Sequence, residues 1–322
     1  MNTFQQHVVR PVALDELRNN PAVRDLLIND GSLVYTDTGH GPTLEGTTTE
    51  AQARAFVERE LRTSGRRIDR TSPIVDARLR DGSRLCAVIP PIAFRGTSVA
   101  VRRFTIPRVT VMDFGSIDLH ELVKEVVGRR CNVIITGAAG AGKTTFANAF
   151  CSVIAAHERI VTIEDTAELS PAHPHVVALE SQPPNLEGHG EVSVASLLRT
   201  ALRLRPDRLV VGEVRGAEVL DMLAAMNTGH SGSLSTCHAN SPLDAVRRLE
   251  SLVLQHGRKW TSEGAREHIR AALDVCIHVA RLHDGTRIVD SVFELPRSQH
   301  HLFVELYRNG TRVGSLTRGQ VE

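Results

Sequence analysis

Eight residues, Gly137 to Thr144, read GAAGAGKT and follow the spacing G-x-x-x-x-G-K-[ST]. Small side chains let successive backbone N–H groups turn toward one anion. A helix starting at Lys143 adds its positive end, Lys143 can bridge β- and γ-phosphates, and the Thr144 hydroxyl can ligate Mg2+. The candidate phosphate-binding residues are Gly137, Ala138, Ala139, Gly140, Ala141, Gly142, Lys143, Thr144 and Thr145. Cleaving a bound nucleotide further requires a carboxylate near the terminal phosphate, to hold the metal or orient a water. Two apolar runs end in such groups: RIVTIED closes on Glu164 and Asp165, and RLVVGE closes on Glu213, with Arg215 two residues on. Glu213 is the candidate for Mg2+ ligation or water positioning, and Glu164 and Arg215 join it as catalytic candidates. The segment GHSGSLSTCHAN at 229–240 puts a histidine on each side of a strand-like run, and His238 at its end can donate a hydrogen bond to a phosphate. Among the arginines of the first hundred residues, Arg102 and Arg103 are candidates for stabilising charge on a transferred phosphoryl group.

These groups need a scaffold that brings strand ends together. Apolar, β-branched runs at 132–136, 159–164, 208–212 and 233–238 alternate with helical patterns at 143–155, 194–204, 217–226 and 242–255. That alternation is the signature of parallel βαβ units. Such a sheet places Glu164, Glu213 and His238 along the carboxyl edge, where ligands of open α/β folds bind. Ser241, Pro242 and Asp244 form a helix start, and a further helix falls near 262–273. The tail from 274 to 318 reads as a meander of strands with turns at Asp284-Gly285 and Asn309-Gly310. Before residue 105, turn punctuation breaks up a helix at 49–62 and strands at 84–89 and 99–104, the pattern of a small α+β domain. The expected division is a domain over 1–105, a linker over 106–116 and an α/β domain over 117–322.

A length of 322 residues suits two domains of that kind. Lys plus Arg is 38 against 37 acids, a net charge of +1, and aromatic residues are 4%, which argues against coating a nucleic acid. No apolar run approaches the ~18 residues of a membrane span, and no secretory signal opens the chain. Five cysteines without a Cys-x-x-Cys pair point to buried thiols in a reducing compartment rather than to zinc. With only three lysines, none preceded by Asn, the guanine-reading Asn-Lys-x-Asp is absent.

Four motifs in this order resemble those of the type II/type IV secretion (traffic) ATPases. GAAGAGKTT resembles the family's Walker A, and RIVTIEDTAEL at 159–169 its Asp box with Glu164. LRLRPDRLVVGEVRGAE at 202–218 resembles its Walker B with Glu213, and MNTGHSGSLSTCHANSP at 226–242 its His box with His238. SRLCAVIPPIAFRGTSVAVRRF at 83–104 is similar to the end of its sensor-like N-terminal domain. The resemblance implies a RecA-like P-loop ATPase domain and ATP with Mg2+ held between the two domains. It further implies a homohexameric ring beneath an inner-membrane platform protein, cytoplasmic and peripheral at the inner face of the membrane, powering pilus assembly or protein secretion. GEVRGAEVLDMLAAMNTGH, CAVIPP and the missing cysteine insertion resemble the tight-adherence (Flp) pilus motors, with type IV secretion ring ATPases as the alternative. Two departures are the short front, where the matching PAVRDLLIND begins at residue 21, and Cys237 inside the His box. A RecA-like nucleic-acid motor and a nucleotide-gated regulator are the competing classes.

Overall fold

The computed structural model of the chain describes residues 10–62, 64–79, 81–103, 109–184, 189–297 and 303–319. It divides into two units, residues 1–105 and 106–322. In the first, α1 (Leu14–Asn19), β1 (Asp25–Asn29), β2 (Leu33–Asp37), β3 (Thr43–Thr47), α2 (Glu50–Leu61), β4 (Ile74–Arg78), β5 (Arg84–Val88) and β6 (Ser98–Arg102) follow in order. The strands form one sheet ordered β3-β2-β1-β6-β5-β4, with every neighbouring pair antiparallel. Period-two alternation turns Leu26, Ile28, Val34, Leu85, Ala87, Val99 and Val101 to one buried face. On it packs the apolar stripe of α2, Ala53, Phe56, Val57 and Leu61. Thr49 and Gln52 open that helix with a reciprocal capping box. Cys86 lies on the other face and is exposed, so the expectation of buried thiols holds for Cys131, Cys151, Cys237 and Cys276 but not for it.

The second unit begins with a turn of 3-10 helix at Val111–Phe114 and α3 (Ile117–Gly128). Then come β7 (Val133–Gly137), α4 (Lys143–Cys151), β8 (Ile160–Glu164), β9 (Val176–Glu180), α5 (Val194–Ala201), β10 (Arg208–Val211), α6 (Glu218–Asn227) and β11 (Leu234–His238). The chain continues with α7 (Pro242–His256), α8 (Ser262–Ala272), β12 (Val275–Arg281), β13 (Arg287–Glu294), β14 (Val304–Arg308) and β15 (Thr311–Arg312). One nine-stranded sheet runs β15-β14-β13-β12-β7-β11-β10-β8-β9. The six strands from β12 to β9 are mutually parallel, and β13 to β15 extend the sheet antiparallel. Alternate residues of each central strand feed two cores. Val133, Ile135, Ile160 and Val210 face α3 and α4, whereas Ile134, Val161, Ile163 and Val211 face α5 to α8. Burial on both faces explains why these strands read as unbroken apolar runs.

Part of the expected linker, residues 106–108, lies outside the described residues. The rest is not a tether. Val111 and Phe114 are buried, the Phe114 ring meets Phe146 edge-on at 5.1 Å, and the Asp113 carboxylate accepts the Thr110 backbone N–H to cap the turn. Apolar burial thus draws this segment into the second unit. The helix expected over 143–155 closes at Cys151, and the 194–204 helix tightens to 3-10 geometry over Leu202–Leu204. At the amino ends of β8 and β10, Glu158 takes Arg208 in a bidentate grip at 2.7 and 2.9 Å and Arg130 at 2.7 Å. No helix among the described residues is long and apolar enough to cross a membrane.

Candidate active site

β7 is buried along its whole length and stops at Gly137, from which the chain folds over into α4. Gly137 and Gly142 have φ of +155° and +101°, in the left-handed region that favours glycine. A Cβ at Gly137 would meet the Val279 carbonyl oxygen at 2.3 Å, so the loop needs a bare α-carbon there. Ala138, Ala139 and Gly140 are exposed at the crown, whereas Ala141 is anchored in the core. Gly142 caps α4, leaving the first-turn amides, Thr144 and Thr145 among them, without intrahelical partners. Consecutive free amides at a helix start have the form of a phosphate cradle.

Lys143 is 7% exposed, and its Nζ donates to the carbonyls of Gly137 at 3.1 Å and Ala138 at 3.0 Å. Its third proton points at His238 Nδ1, 3.1 Å away. An ammonium only donates, so Nδ1 is the acceptor and the ring carries its proton on Nε2, which lies 3.2 Å from Glu213 Oε1. Burial, reinforced by the Lys143 charge and opposed by Glu213, holds the His238 pKa below its usual range, in keeping with this neutral tautomer. Burial likewise lowers the Lys143 pKa, with Glu213 pulling the other way. Arg215 continues the chain, its Nη2 lying 3.6 Å from Glu213 and 3.8 Å from Asp165. Lys143, His238, Glu213 and Arg215 therefore form one connected line along the carboxyl edge.

That line is held from below. β11 pairs with β7 so that His238 lies opposite Gly137, and Thr236 Oγ1 donates to the Gly212 carbonyl just before Glu213. Glu164 has a different setting. It is 4% exposed, Oε1 accepts the amides of Glu168 at 2.9 Å and Leu169 at 3.0 Å, and Oε2 accepts the latter at 3.1 Å. A Cβ on Gly212 would lie 2.6 Å from its Cγ, so β10 passes tightly beside it. Arg102 and Arg103 are engaged inside the first unit. Arg102 Nε meets Asp25 at 2.7 Å, and Arg103 donates to the carbonyls of Asn20 at 2.8 Å and Arg18 at 2.6 Å. Sequence reasoning missed the Thr136–His278 contact of 2.9 Å beneath the loop and the approach of Arg287 to Gly142. Neither has a local sequence signal, since each is made by strands distant in the chain.

A central parallel sheet, a phosphate loop and carboxylates at its carboxyl edge define a RecA-like P-loop nucleotide hydrolase. Residues 38–300 match the family described as type II/IV secretion system protein. A putative conjugal transfer protein of Mycobacterium tuberculosis strain H37Rv is 38% identical, over 93% of this chain and 88% of its own length. The type IV secretion system protein VirB11 of Brucella suis is 30% identical over 74% of this chain and 75% of its length. The crystal structure of the Brucella suis VirB11 ATPase, solved with sulphate, aligns at TM-score 0.50 and 26% identity over 88% of this chain and 92% of that one. The pilus retraction motor PilT with bound ADP aligns at TM-score 0.64 and 22% identity over 86% and 80%, a likeness of fold. The chain belongs to the type II/IV secretion system protein family, and it is an ATPase of that family. None of these relatives carries the tight-adherence name expected from GEVRGAEVLDMLAAMNTGH.

Proposed function

We propose that this chain is the ATP-driven motor of a type IV secretion or conjugal-transfer machine, working as a homohexameric ring on the cytoplasmic face of an inner-membrane platform protein. The observation that carries the reading is the Lys143–His238–Glu213 line at the mouth of the phosphate loop, in a chain whose full-length relatives bear conjugal-transfer names. Mg2+ bound with ATP would supply charge neutralisation on the phosphates, held on the protein side by Thr144 and Glu213. Lys143 leaves its loop carbonyls for phosphate oxygens. His238 passes this change to Glu213, because one neutral ring touches both. Glu213 orients the attacking water and accepts its proton, and the Arg215 guanidinium, 3.6 Å away, favours the charged carboxylate without clamping it. The near-zero net charge supports a motor that pushes on protein rather than tracking along nucleic acid. A tight-adherence pilus platform is the second reading, favoured by the Walker B and His-box phrasing.

The test measures ATP turnover against protein concentration, with mass determined on the same samples. Specific activity should rise as rings form, and Glu213→Gln should bind ATP while losing at least about a hundred-fold in turnover, the scale of a positioned base. Turnover independent of assembly, or wild-type turnover in Glu213→Gln, would overturn the assignment.

A further inference from the structure

The hairpin of β12 and β13 does not stop where β7 stops. β12 pairs with β7 as far as His278 opposite Thr136 and then runs on past the phosphate loop, its Val279 carbonyl against the Gly137 α-carbon. The hairpin turn is stiff. The Leu282 amide donates to the Thr286 carbonyl at 2.8 Å, and the Thr286 amide to Asp284 Oδ1 at 2.9 Å. The first residue of β13, Arg287, is exposed and lies on the phosphate loop itself: a Cβ at Gly142 would stand 2.7 Å from its Cδ and 3.3 Å from its Nε.

Directly across the hairpin, Arg287 pairs in register with Arg281, which is also exposed. Like charges opposite one another on a strand pair are unfavourable. Among the described residues neither guanidinium has a carboxylate partner, and the one acid of the turn, Asp284, accepts the Thr286 amide. Both arginines share a face with Val279 and Val289, which pack into the core beside α4, so the pair stands on the side of the sheet from which α4 leaves the loop. Arg287 beside Gly142, with Arg281 across the hairpin, places positive charge next to the phosphate loop that no described carboxylate neutralises.

We infer that Arg287 is a phosphate-positioning residue that grips the β-phosphate of the bound nucleotide from outside the loop, with Arg281 behind it reinforcing the charge. Gly142, a glycine already for its left-handed φ, also leaves the arm room to pass. The position beside Gly142, where α4 begins, selects the β-phosphate, which ATP and ADP share. Lys143 approaches the phosphates from the buried side, so the two cations close on the anion from opposite flanks.

The inference rests on the nucleotide-binding reading above. Titration calorimetry with ADP and with a non-hydrolysed ATP analogue would compare wild type, Arg287→Ala, Arg287→Lys and Lys143→Ala. Arg287→Ala should weaken ADP and the ATP analogue alike by about ten-fold, the scale of one charge-assisted hydrogen bond. Arg287→Lys should recover part of that loss, and the unfolding temperature without nucleotide should stay at the wild-type value, as suits an exposed side chain. Wild-type affinity in Arg287→Ala, with Lys143→Ala inactive in binding, would overturn this inference while leaving nucleotide binding intact. Weakening confined to the ATP analogue would also overturn it, by moving the contact to the γ-phosphate. A wild type that binds neither nucleotide would overturn both readings.

Discussion

Glu158 offers the most quantitative test of how the scaffold holds the site. Its carboxylate is 7% exposed and answers Arg208, 3% exposed, at the amino end of the strand that leads to Glu213. Burial would raise the Glu158 pKa, but Arg208 and Arg130 outweigh it and hold the group below its ordinary 4.5. Glu158→Gln keeps the shape and removes the charge. Arg208 is then left with the Val127 carbonyl, 3.1 Å from Nη2, and a neutral amide. Uncovering one member of a buried pair costs about 3–5 kcal/mol. With a urea m-value of about 2 kcal/mol/M, the unfolding midpoint should drop by about 2 M.

The single tryptophan, Trp260, belongs to the second unit and packs tilted against His268 with ring centres 5.0 Å apart, so its fluorescence reports that unit's unfolding. Because the folded pKa of Glu158 is depressed, its contribution is complete above about pH 4.5 and fades as pH falls through the folded value. The variant should therefore differ most from wild type at neutral pH and converge with it in acid. Most of the cost comes from the stranded cation, so Glu158→Leu combined with Arg208→Met should recover at least about half of the lost stability. A loss in Glu158→Gln of less than about 1 kcal/mol, or a double variant no better than the single, would refute this account.

Three half-buried histidines make a second expectation: partial burial holds the pKa of His238, His268 and His278 below 6.5. The unfolded chain then binds more protons, so the unfolding temperature should fall as pH drops below about 6.5, and His238→Gln should flatten part of that slope; a pH-independent midpoint would count against it. For the first unit, Arg103→Ala should cost about 1 kcal/mol by stranding the carbonyls of Asn20 and Arg18, and should speed amide exchange around α1 and β1 while leaving ATP turnover unchanged. Collapsed turnover with unaltered exchange would return Arg103 to the phosphoryl group.

What could be read from the sequence was what burial writes into composition. β7, β8, β10 and β11 are buried on both faces and announced themselves as apolar runs within a residue or so of their ends. β1 to β4 are short and bury one face only, so Asp25, Thr36, Asp37, Glu45 and Asp76 obscured their alternation. Within the expected linker a local signal was present: Thr110-x-x-Asp113 is a cap, followed by an apolar Phe114 that is buried. Arg287 was out of reach, because nothing in the order of residues says that a hairpin 145 positions downstream lies across Gly142.

Glu164 and Glu213 show why residue type at a strand end is not enough to assign a role. Glu164 closes β8 and Glu213 follows two residues after its parallel neighbour β10, and both were legible as catalytic candidates. Glu164 spends both oxygens on the Glu168 and Leu169 amides, so its charge fixes the loop after β8 and leaves little lone-pair capacity for a metal or a water. Among the described residues Glu213 meets side chains, the His238 ring and the Arg215 guanidinium, which are freer to swing than backbone amides. That contrast supports the water activation proposed for Glu213, and for Glu164 we propose a positioning role through the loop it clasps and the close passage of Gly212.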